Sequence, residues 1–63
     1  MDKMILNGRT IYIKKYRDEE LAESAIRHSV KPARIMLGDD EKFWVVTPAD
    51  AARLERAGYE YRR

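Results

Sequence analysis

Lys3-Met4-Ile5-Leu6-Asn7-Gly8-Arg9-Thr10-Ile11-Tyr12-Ile13-Lys14 is the stretch that decides the fold of this chain. Asn-Gly sits between two β-prone runs, and both central positions of a two-residue type I′ turn need φ > 0, which these residues tolerate best. The turn sets a register in which Leu6 faces Arg9, Ile5 faces Thr10 and Met4 faces Ile11. Side chains alternate along a strand, so Met4, Leu6, Ile11 and Ile13 gather on one face and Ile5, Thr10, Tyr12 and Lys14 on the other. The first set is the core side.

Downstream, Asp18 to Lys31 reads as a helix. Asp18 is placed to cap it, and Glu19 and Glu20 fall in the first turn, where the helix dipole favours anions. A helical period puts Leu21, Ala22, Ala25, Ile26 and Val30 on one stripe and Glu19, Glu20, Glu23 and Arg27 opposite. Arg27, His28 and Lys31 suit the C-terminal end, and Pro32 stops the helix.

Arg34-Ile35-Met36-Leu37 and Lys42-Phe43-Trp44-Val45-Val46 flank Gly38-Asp39-Asp40-Glu41, giving a second, less tightly specified hairpin. With Leu37 opposite Lys42, the pairs continue as Met36–Phe43, Ile35–Trp44 and Arg34–Val45. Thr47 then caps a last helix with Pro48 at its first position and Asp50 three residues after the cap. Gly58 matches the C′ position of a left-handed termination, with Tyr59 reaching back to Leu54. Tyr59-Glu60-Tyr61 can add a short fifth strand, and Arg62-Arg63 is expected to fray. The expected fold is a single α+β domain over residues 1–63 in ββαββα order. Its sheet is mainly antiparallel and four-stranded, with two helices on one face.

Composition narrows the function classes. At 63 residues there is room for one small core. No cysteine is present and there is one histidine, which excludes disulfides, thiolate sites and a conventional zinc site. Thirteen basic residues against eleven acidic ones give a net charge of +2, too even to act alone as a nucleic-acid footprint. No apolar run approaches the length of a membrane span, and Asn7-Gly8 follows Met4-Ile5-Leu6 too closely for a signal peptide, so a cytoplasmic protein without membrane association is expected.

The chemistry-bearing residues have structural explanations. His28 lies one turn from Ser24, but no glycine-rich elbow or oxyanion donor accompanies the pair, and a dipole-complementing surface histidine accounts for it. Asp39-Asp40-Glu41 lacks the alternating spacing of a calcium loop and reads as a turn. Gly8, Gly38 and Gly58 mark turns or a helix end and build no phosphate loop. No catalytic residue, cofactor or metal is expected, and the chain does not read as an enzyme.

The second hairpin stands apart because both of its faces are apolar: Ile35, Leu37, Trp44 and Val46 on one, Met36, Phe43 and Val45 on the other. A half-buried strand pair should alternate apolar with polar. With both helices on one face, the other would either expose an aromatic surface, completed by Tyr12, Thr10 and Ile5 of the first hairpin, or be covered by loops or the C-terminal tyrosines. The expected function is therefore a non-enzymatic interaction module. It would bind a protein partner or itself through Tyr12, Met36, Phe43, Trp44 and Val45, with a homodimer as one form. The alternative is a nucleic-acid-binding accessory protein that stacks bases on exposed tyrosine or phenylalanine, with Lys14, Arg34, Arg53 and Arg56 as its basic contacts.

Overall fold

In the computed structural model, which describes residues 2–62, Asn7 and Gly8 both take positive φ, 51° and 80°. They join β1 (Asp2–Leu6) to β2 (Arg9–Tyr16) as a two-residue turn. Leu6 pairs with Arg9, Ile5 with Thr10 and Met4 with Ile11, as the turn chemistry requires. Replacing Gly8 with valine is expected to cost roughly 1 kcal/mol or more, since a β-branched residue resists φ > 0. Urea denaturation checks this, and an unchanged midpoint would contradict the turn type.

The chain continues through α1 (Glu19–Arg27), β3 (Arg34–Leu37), β4 (Phe43–Val46), α2 (Pro48–Arg56) and β5 (Glu60–Tyr61). This is the ββαββα order of a small α+β domain, with the C-terminal fifth strand formed. The sheet is antiparallel throughout and runs β1-β2-β4-β3-β5.

That strand order fixes the helix positions. β2 and β3 are each antiparallel to β4, so they are parallel to one another, and α1 connects them across it. In the same way β4 and β5 are each antiparallel to β3, and α2 connects those. Both crossovers step the same way across the sheet but leave from strands of opposite sense. Right-handed connections therefore put the two helices on opposite faces. The packing agrees with the handedness. Ala51 and Leu54 of α2 cluster with Ile11, Ile13, Met36, Trp44 and Val46, whereas Ala22 of α1 and Ile35 are buried outside that cluster. The expectation of both helices on one face is corrected accordingly.

The second hairpin is shifted by one residue from the expected register. Leu37 pairs with Phe43, Met36 with Trp44, Ile35 with Val45 and Arg34 with Val46. The cause lies in the loop: Glu41 takes φ 63°, the Gly38 N–H donates to the Lys42 carbonyl at 2.9 Å, and Asp40 turns inward. Because side chains alternate, the shift places Met36 beside Trp44 and moves Ile35 and Leu37 to the opposite face.

The helix ends also differ in part. α2 is capped as read: Thr47 Oγ1 accepts from the Asp50 N–H at 3.2 Å, and Gly58 takes φ 104°. The Tyr59 and Gly58 N–H groups bond to the Leu54 and Glu55 carbonyls, each at 3.0 Å, which is a Schellman termination. At α1, Asp18 has the extended backbone of a cap but makes no side-chain capping bond. That helix stops at Arg27 rather than Lys31. The Ser29 hydroxyl bonds to both the carbonyl and the N–H of Lys31, offering the backbone a local turn in place of another helical one. Val30 consequently leaves the apolar stripe and is 98% exposed. Arg62, expected to fray, is held: its N–H donates to the Ile35 carbonyl at 3.0 Å, and its guanidinium bridges Glu19 and Glu23 of α1. Arg63, in the same expectation, lies outside the described residues.

Candidate functional site

Opposed helices explain why the second hairpin is apolar on both sides, and they redistribute the residues expected to form an interface. Met36 and Trp44 are fully enclosed, at 0% and 3% exposure, beneath α2. Phe43 and Val45 are half-buried on the α1 face. Of the five residues, only Tyr12 is open, at 58%.

Trp44 is held by polar neighbours as well as by packing. Its Nε1–H donates to Asp40 Oδ1 at 3.0 Å, and the other carboxylate oxygen meets Lys15 Nζ at 3.1 Å. The same ammonium stands 4.9 Å from the indole centroid, and Tyr59 lies against the ring at 5.2 Å. Burial acts to raise the Asp40 pKa, but hydrogen bonds from Lys15, the Lys42 N–H and Trp44 together hold it below the ordinary carboxylate value. Burial first, and then the neighbouring Asp39 carboxylate, push the Tyr59 phenol up. The Asp39–Glu41 loop is thus a clasp over the indole. Among the described residues no group of carboxylates and histidine is arranged to hold a metal ion, and no helix is long and apolar enough to cross a membrane.

The opening in the molecule lies on the α1 side. That helix packs on β2, β4 and β3, with at most slight contact to β1. Ile5, at 67% exposure, and Tyr12 therefore lie uncovered on adjacent strands in diagonal register. Lys3 pairs with Tyr12 across the strands, and Lys14, two residues on, shares its face. Thr10 completes the patch opposite Ile5. Ile5 and Thr10 were read onto this face from the turn, and the structure keeps them there with Tyr12.

The four basic residues expected as nucleic-acid contacts occupy separate places. Lys14 is on the open face. Arg34 begins β3, with Nη1 donating to the Ala33 carbonyl at 3.0 Å. Arg53 and Arg56 line a concavity on the opposite face with Leu6, Asn7 and Arg9. Arg9 was missed as a member of any site, although its pairing with Leu6 already assigned it to the core side. His28 is confined to its helix end, its Nδ1–H donating to the Ser24 carbonyl at 2.9 Å.

Compared with protein-family models, curated proteins and solved structures, the chain finds no match in any of the three.

Proposed function

We propose that this protein is a non-enzymatic interaction module that engages a protein partner or a second copy of itself through the open half of its sheet. The observation that carries this reading is the pair Ile5 and Tyr12, both more than half exposed and adjacent on the face that α1 leaves bare. An isolated exposed apolar residue needs no explanation, but a contiguous pair at an edge strand whose outer side is unpaired supports a contact role. Tyrosine suits the role because it offers a large apolar area and a polar tip at low entropic cost. Sedimentation equilibrium of the wild type and of an Ile5→Ser/Tyr12→Ser variant tests the reading, with thermal melts of both. The wild type is expected to self-associate, and the variant to be monomeric with an unchanged melt. A wild type that stays monomeric, with a variant that unfolds, would assign both residues to the fold and remove the surface.

A second reading is favoured by Lys3 and Lys14, which flank Tyr12 on the same face. An aromatic platform between two ammonium groups suits stacking of a single-stranded base with contacts to its phosphates. Affinity for single-stranded oligonucleotide that falls steeply with salt and is lost in Tyr12→Ser would favour this reading over the first.

A further inference from the structure

On the other face, three arginines from two parts of the chain line one concavity. Arg9 directly follows the Asn7-Gly8 turn and pairs with Leu6, so its side chain points to the α2 side of the sheet. Arg53 and Arg56 are three residues apart on α2, and with Leu6, Asn7 and Arg9 they line a concavity of about 220 Å³. Of these three, Arg53 has an acidic partner, Asp50 at 2.9 Å, and Arg9 and Arg56 have none among the described residues.

Like charges brought together without counter-charge repel, and arginine supplies a planar fork of donors matched to oxyanions. We propose that this concavity binds a phosphate group, with Arg9 and Arg56 as its principal donors, Arg53 as a third held in place by Asp50, and Leu6 as the apolar wall. The site does not depend on the open sheet face, because Tyr12 projects from the opposite side of β2. It differs from the surface expected from sequence by including Arg9 and excluding Lys14 and Arg34.

The test is an NMR titration of the intact protein with inorganic phosphate at constant ionic strength, sodium chloride serving as control. Saturable shifts are expected at the Asn7, Gly8 and Arg9 amides that chloride does not reproduce. Arg9→Gln and Arg56→Gln are each expected to weaken binding about tenfold, the loss of one charge-assisted hydrogen bond. Arg17→Gln, at an exposed position outside the concavity, is expected to bind like the wild type. Each variant's melt is recorded alongside, and Arg9→Gln is expected to melt close to the wild type, because Arg9 is exposed and has no acidic partner among the described residues. Parallel titrations with a nucleoside monophosphate and a single-stranded oligonucleotide identify the source of the phosphate. Equal affinity points to a single phosphate group, and tighter, salt-steep binding of the oligonucleotide points to a phosphodiester chain. Tyr12→Ser should leave the phosphate shifts untouched, so failure here is distinguishable from failure of the sheet-face reading. Shifts matched by chloride, or binding retained in both arginine variants, would overturn the site.

Discussion

Trp44→Ala is expected to cost about 3–5 kcal/mol, enough to leave most of a chain this small unfolded at 25 °C. Trp44 is almost wholly enclosed, lies at the centre of the α2-side core and packs against Tyr59. Its removal would open a cavity and strip Asp40 of its indole donor and Lys15 of its aromatic neighbour. Trp44→Phe should keep most of the packing and lose about 1 kcal/mol for the missing Nε1–H bond. Phe43→Ala should fall below Trp44→Ala, because Phe43 is only half-buried. Urea melts followed by circular dichroism rank the three. A Trp44→Ala protein as stable as the wild type would mean that the indole is not the core anchor.

Gly38→Ala is expected to destabilise by about 1–3 kcal/mol, an overpacking cost rather than a backbone one. Gly38 has no positive φ. A Cβ built there would overlap Trp44 Nε1 and Cε2 and stand 2.7 Å from Asp40 Oδ1. The carboxylate could move only by giving up its bonds to the indole and to Lys15. Combining Gly38→Ala with Trp44→Phe separates this clash from any loop effect, because the smaller ring makes room for the methyl group. Thermal melts of the single and double variants should show a markedly smaller cost in the phenylalanine background. Equal cost in both backgrounds would refute the steric explanation.

What could be read in advance was what local chemistry encodes. Asn7-Gly8 carries its own register, and Thr47-Pro48 with Gly58 carries both ends of α2. The Arg34–Val46 hairpin was harder because its loop places glutamate, not glycine or asparagine, in the left-handed region, a choice that composition does not advertise. It accompanies the bond from the indole to Asp40, a side-chain contact within the hairpin that turn preferences do not include. The apolar character of both hairpin faces was visible, and it signals a sheet covered on both sides as readily as one that exposes a face. Deciding between the two required the strand order, because handedness separates the helices only once β4 is known to lie between β2 and β3. The open patch was legible in part: Tyr12, Ile5 and Thr10 followed from the first turn, while Met36 and Trp44 were drawn into the core by the second. Arg9 was obscured because a residue flanking a turn looks solvated until α2 is seen beside it.

The interlaced crossovers also govern how the chain reaches this state. On paper it is two hairpin–helix units in tandem, but the junction of β2 with β4 joins one unit to the other, and α1 spans β4, a strand supplied by the second unit. The β1–β2 turn can close locally and early, whereas β2 and β4 meet only after the long intervening segment has been brought round, with its loop-closure entropy lost first. Neither half contains the whole sheet, so its assembly couples the two halves, with β1 paired only to its neighbour in sequence. β1, which bears Ile5, is an edge strand paired with β2 alone, so the open surface is expected to exchange its amide protons sooner than the strands paired on both sides.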